Sequence, residues 1–404
     1  MYYIMQGDGQ GSIASLMARG AQDDFLQSDD TMLPSFVQYS DFSIDQTTYS
    51  FGTAPYLGTL QTFSITPKQL PGDLLTNAFL KVQLPPASYI SQVGRGLTKK
   101  VSMYLNEVEI ETLYDDWYVI RDQIFLDLDE QALLNNVAYQ GTTLYIPLDF
   151  SWCRRLSRSR SDHRKPMFPI CAAYNQTMYI NIQFASMPEI STSSTGDLLA
   201  PPQLVLETIL LTDVERNYYM RGIEITINHV YNEPVNSIST QLTNINLTAN
   251  FPVSLMVWFI RKTLNLGDPL YYQKRFNFSY LTNPNVVLQN TDIFEYIYLT
   301  VNNQTITNRY PGLRFFKYLQ PMFSNVATPT SDLYMYSFGL RPNEYNQGGA
   351  LDFSKADSTT STLSIKFNNL FLTDISLNYT LNVYYFGYVK LKFSGGYCAI
   401  SGTR

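Results

Sequence analysis

Two histidines and three cysteines are the side chains in this 404-residue sequence best suited to reactions near neutral pH. His163 sits in a basic run. His229 alternates with Ile225 and Ile227, which marks it as an ordinary strand residue rather than a ligand. Cys153, Cys171 and Cys398 do not make a disulfide framework, so the chain reads as a soluble protein made in a reducing compartment. The patterns H-E-x-x-H, C-x-x-C, G-x-S-x-G and G-x-x-x-x-G-K-[ST] do not occur. GDGQG at 7–11 resembles a glycine-rich nucleotide loop, but it lacks the final glycine and follows no strand. Asp127, Asp129 and Glu130 could bind a cation, although helix capping explains them better. Catalytic carboxylates can converge from distant strands, and no spacing here points to a pair. The sequence thus offers no catalytic residue, no cofactor site and no metal site.

Charge is the next candidate for function. The run CRRLSRSRSDHRK at 153–165 carries Arg154, Arg155, Arg158, Arg160, Arg164 and Lys165. A solvated loop is the first reading, and contact with an acidic neighbour or nucleic acid the second. No aromatic residue lies between Trp152 and Phe168 to stack on bases. The net charge of -6 argues against a surface devoted to nucleic acid. Met1–Gly20 has neither a basic n-region nor an apolar h-region, so no signal peptide is evident. The longest apolar run, Val253 to Ile260, is strand-sized. Sequons at Asn175, Asn246, Asn277, Asn303 and Asn378 read as chance in an Asn/Thr-rich chain.

What must position these residues is a β framework. Tyr (31) and Phe (24) are abundant, only 15% of residues are charged, and turn residues recur throughout, which favours an all-β fold. Strand signals appear at 35–44, 60–67, 74–86, 99–111, 142–150, 177–185 and 203–213. A phase slip predicts a turn at Asn106-Glu107. A second series runs over 222–235, 243–250, 251–262, 271–281, 292–306, 332–340, 360–367 and 378–395. Within it, VNNQT reads as a hairpin turn. Between strands, residues 111–141 show helical spacing at Trp117, Ile120, Ile124 and Leu128. Asp129 is a plausible N-cap there and Gly141 a plausible stop. Trp117 and Tyr114 are expected to pack this insertion onto the first sandwich. The expected division is an arm over 1–30, one sandwich over 31–215 and a second over 216–404.

One stretch, YMYSFGLRPNEYNQGGALDFSK (334–355), carries a family resemblance. Tyr334, Tyr336 and Phe338 alternate as a strand, Gly339 and Pro342 end it, and Gly348-Gly349 precede an apolar return at Leu351 and Phe353. The matching residues are Tyr336-Ser337-Phe338, Arg341-Pro342-Asn343-Glu344, Gly348-Gly349 and Asp352-Phe353-Ser354-Lys355. They resemble a signature of the major capsid proteins of large eukaryotic double-stranded DNA viruses. Asp352 and Lys355 stand where that family has Asn and Arg. GAQDDFL (20–26), LLTNAFLKVQLP (74–85), LYDDWYVIRDQ (113–123), LYIPLDFSWCR (144–154), YINIQF (179–184) and TDVERNYY (212–219) are similar to family segments in the same order. The basic loop after Cys153 departs from the shorter family segment.

The resemblance implies two tandem eight-stranded jelly rolls, with a short helical insertion in the first and an N-terminal arm. It implies a non-enzymatic homotrimer, a pseudo-hexagonal capsomer that tiles an icosahedral capsid assembled in the host cytoplasm. The implied partners are further copies, neighbouring capsomers, minor capsid proteins and a membrane beneath the shell, without specific nucleic acid. Asp23, Asp24, Phe25 and Leu26 would make arm and lattice contacts. Arg341, Glu344, Gly348 and Gly349 would fix a structural corner. A minor capsid paralogue, or a carbohydrate-binding or glycoside-hydrolase sandwich with exposed aromatics, stays open as an alternative.

Overall fold

Period-two alternation becomes four antiparallel sheets. The computed structural model describes residues 42–50, 53–153, 166–234, 236–238, 240–263, 275–278, 293–342, 348–367 and 379–401. All of them fall within one compact unit, Phe42–Arg404.

The first sandwich takes β1 (Ser43–Ser50), β2 (Leu60–Ile65), β3 (Leu74–Gln83), β4 (Thr98–Leu105), β5 (Val108–Tyr114), β6 (Thr143–Pro147), β7 (Met178–Phe184) and β8 (Gln203–Leu210). Its sheets run β1-β8-β3-β6 and β2-β7-β4-β5. The second takes β9 (Ile223–Asn232), β10 (Asn236–Ser237), β11 (Leu242–Asn246), β12 (Pro252–Lys262), β13 (Phe294–Val301) and β14 (Gln304–Thr305). It continues with β15 (Tyr334–Ser337), β16 (Leu351–Asp352), β17 (Thr362–Phe367), β18 (Tyr379–Ser394) and β19 (Tyr397–Ser401). Here β9 pairs with β18, which leads on to β12 and β15, and the facing sheet runs β11-β17-β13-β14. With β10, β16 and β19 as additions, both sandwiches follow one plan. The first, eighth, third and sixth strands form one sheet, and the second, seventh, fourth and fifth form the other. This is the jelly roll, twice.

Local chemistry explains the corners. Asn106 turns at φ 51°, and Asn302 and Asn303 at φ 50° and 62°, so both predicted hairpins rest on asparagines that tolerate left-handed backbone. The insertion between β5 and β6 holds two helices, α1 (Asp115–Ile124) and α2 (Leu128–Leu134). Asp127, not Asp129, caps α2: its carboxylate accepts from the Glu130 N–H while Glu130 accepts from the Asp127 N–H. The reciprocal box needs an acid three residues before Glu130, and only Asp127 has that spacing. Helix α3 (Asp213–Met220) links the sandwiches.

Among the described residues the first strand is Ser43–Ser50; of the expected strand 35–44, residues 35–41 lie outside the described residues. β1 is an exposed edge strand, so burial wrote little apolar pattern into it. Of 271–281, the described residues 275–278 are not strand.

Candidate functional site

The candidate sites of this chain are surfaces, and their geometry is set by how its corners and layers are held. β15 leaves its sheet through a tight corner. The Phe338 N–H donates to the Ser254 carbonyl at 2.8 Å, and the Leu340 N–H donates to the Gly348 carbonyl at 3.0 Å. The Ser337 hydroxyl donates to the Gly339 carbonyl at 2.6 Å. A Cβ on Gly348 would sit 2.8 Å from the Arg341 backbone nitrogen, and Gly349 has φ +116°, a conformation that strains other residues. Arg341 is exposed and Pro342 buried beside it. Glu344 lies outside the described residues, as do Asp23, Asp24, Phe25, Leu26, Arg154, Arg155, Arg158, Arg160, Arg164 and Lys165.

A larger feature was not visible in the sequence: a buried interface between the sandwiches. Trp117 of α1 stacks on Tyr384 and Phe386 of β18, with ring centroids 6.1 and 5.5 Å apart. Tyr114 meets Tyr384 edge-on at 6.1 Å. Both residues therefore face the second sandwich rather than packing the insertion solely onto the first. Periodicity reveals which side of a helix is apolar, but not which element covers it.

Charge joins the same seam. Arg261 donates to Asp116 at 2.6 Å, and Arg275 donates to Asp115 at 2.5 Å. Burial raises the Asp116 carboxyl above its usual range, and Arg261 opposes that rise. The DDW triplet at 115–117 was the available signal, yet paired acids at a helix start also serve the helix dipole.

Behind α1 lies a second buried network. The Arg95 guanidinium reaches Asp122 at 3.0 Å and Asp149 at 2.6 Å, over the Tyr118 ring at 4.5 Å. Arg121 also reaches Asp149, at 2.7 Å. Burial alone would raise the Asp149 carboxyl, but the two guanidiniums prevail and hold it well below the usual carboxylate range. Two cations against two anions make a neutral brace that needs no ligand.

Among the described residues, no group of three His, Cys, Asp or Glu side chains is placed to hold a metal ion. Cys153 and Cys398 are buried and all three cysteines are free thiols. No described helix is long and apolar enough to cross a membrane. A cleft of about 520 Å³ opens between α2 and residues 327–330, lined by groups such as Asp127, Leu128, Asp129 and Thr328, with no aromatic ring. A sugar platform would need one.

Two family models match in tandem. The model described as major capsid protein N-terminus covers residues 35–233. The one described as large eukaryotic DNA virus major capsid protein covers 207–396. The chain belongs to the major capsid proteins of large eukaryotic DNA viruses. As a member of that family it is a structural component of the virion capsid, not an enzyme.

This capsid protein is 22% identical over 398 residues to the major capsid protein of Pyramimonas orientalis virus, covering 87% of this chain and 91% of the relative. The major capsid protein of Phaeocystis pouchetii virus is 19% identical, over 87% of this chain and 92% of that one. Among solved structures, PBCV-1 VP54 is similar at a TM-score of 0.72 and 17% identity, over 91% of this chain and 98% of that chain. The Faustovirus major capsid protein is similar at a TM-score of 0.68 and 10% identity, over 91% and 93%. These chains share the double jelly-roll fold.

Proposed function

We propose that this capsid protein self-associates into homotrimers, pseudo-hexagonal capsomers that tile an icosahedral shell. The observation that carries the reading is the repetition of one strand order in two sandwiches locked by a buried seam. Three such chains around a closed threefold axis present six similar sides, and each contact is head-to-tail. The working units are the arm 1–30 and the sandwiches 31–215 and 216–404. Asp23, Asp24, Phe25 and Leu26 anchor the arm to the lattice. Arg341, Glu344, Gly348 and Gly349 fix the corner, and the basic run 153–165 is a solvated loop. Partners are neighbouring capsomers and minor capsid proteins, over a membrane beneath the shell, and assembly takes place in the host cytoplasm.

Light scattering on the purified full chain tests this. The expected mass is three times the 46.2 kDa chain, with pseudo-hexagonal plates in electron micrographs. A chain that stays monomeric as its concentration rises refutes the proposal.

A further inference from the structure

Helix α1 has a counterpart in the second sandwich. Residues Gly312–Leu319, continued by Gln320–Phe323, likewise follow the fifth jelly-roll strand and lead to the sixth. The two helices differ in what covers them. α1 buries Trp117 against β18 of the same chain. The 312–323 helix turns Phe316 inward, 5.2 Å from Trp258. Its other side carries Tyr318, Leu319, Met322 and Phe323, which are 48, 40, 74 and 62% exposed. Positions i, i+1, i+4 and i+5 form one stripe. An apolar stripe of that length turned to water marks an interaction surface.

The repeated fold identifies what covers it. α1 is received by the outer face of the β9-β18-β12-β15 sheet, at Tyr384 and Phe386. The matching face of the first sandwich belongs to β1-β8-β3-β6. There Leu80, Val82, Leu144 and Ile146 point inward and are buried, so Phe79, Lys81 and Tyr145 point outward. Phe79 of the third strand pairs with Val205 of the eighth, as Val257 of the third strand pairs with Tyr384 of the eighth in the second sandwich. The Phe79 and Tyr145 rings lie 6.1 Å apart, Lys81 sits 5.8 Å from the centre of the Tyr145 ring, and Tyr145 is 41% exposed.

We propose that the Tyr318–Leu319–Met322–Phe323 stripe docks on the Phe79–Lys81–Tyr145 face of a second copy of this chain. The inference rests on the trimer reading and names its contact. Inside the chain the helix-on-sheet contact runs from the first sandwich to the second. Between copies it runs from the second to the first of the next chain, and three repeats close the ring. The chemistry is alike at both junctions: rings and thioether on an aromatic, half-buried sheet face.

Sedimentation of full-length variants tests the contact. Met322→Glu with Phe323→Glu, both at exposed positions, is expected to keep the native circular dichroism and to need roughly tenfold more protein, or above, for half-assembly. Tyr145→Glu is expected to do the same from the other side. Phe323→Cys chains co-expressed with Tyr145→Cys chains should give an oxidised dimer that neither variant gives alone, because 323 meets 145 and never itself. Unchanged assembly of the Glu variants, with no mixed-cysteine dimer, overturns the contact and leaves the trimer standing. A monomeric wild type overturns the trimer, and this contact with it. Should the Glu variants fail to fold, the cysteine pairing decides alone.

Discussion

At the scale of single residues, the Gly348-Gly349 corner depends on missing atoms. Gly348→Ala would put a methyl carbon 2.8 Å from the Arg341 backbone nitrogen, where no flexible side chain can yield. Gly349→Val adds a β-branched side chain at φ +116°. Each change is expected to cost about 1–3 kcal/mol, read as a lower denaturant midpoint with an unchanged slope. Wild-type midpoints for both would mean that the corner relaxes freely. His229 supports a prediction about acid. Burial, with the Phe251 ring edge-on at 4.8 Å, lowers its pKa from 6.5 to about 4, against the opposing pull of Glu109. Between those values the unfolded chain takes up a proton that the folded chain refuses. Stability is therefore retained above pH 6.5 and lost as pH falls toward 4. The thermal midpoint should drop across that window, and His229→Phe should flatten the drop. An identical pH slope in the variant would remove His229 from the account.

At the scale of elements, α1 is the tie between the sandwiches, and its removal has a calculable cost. Trp117→Ala opens a cavity between Tyr384 and Phe386 and is expected to cost about 3–5 kcal/mol. Asp116→Ala leaves the Arg261 guanidinium buried without its carboxylate, at a similar cost of about 3–5 kcal/mol. Replacing both partners, as Asp116→Leu with Arg261→Met, should recover most of that loss, since an apolar pair leaves no stranded charge. Calorimetry would show a lower, broader transition for the single variants, and an unchanged profile for Asp116→Ala would deny the seam its role. Much at this scale was legible in the sequence. The alternation of β7, the Asn turns and the helical spacing of the insertion are local signals that backbone geometry imposes. The seam was not, because Trp117 and Phe386 lie far apart in the sequence and meet only in the tertiary fold. An arginine at the end of a strand, such as Arg261, reads as a solvated terminus until its partner is in place.

At the scale of the whole molecule, legibility divides in the same way. Two strand series of similar length announced two sandwiches, and the collinear segments announced the family. Their common strand order emerges only from pairing, since no residue-level repeat accompanies it. The arm supplies the remaining test. Residues 1–24 lie outside the described residues, and their sequence carries only a short apolar face at Ile13, Leu16 and Met17 between glycine-rich flanks. A segment of that kind cannot bury enough surface to sustain a sandwich, but it can anchor one finished block to another. Deleting 1–24 is therefore expected to leave the capsomer's mass and thermal midpoint unchanged while impairing growth of the lattice. Light scattering on the truncated chain, beside electron microscopy of assembly reactions, separates the two effects. Loss of the soluble trimer would place the arm inside the capsomer, and normal lattices without it would leave shell growth to the sandwich faces alone.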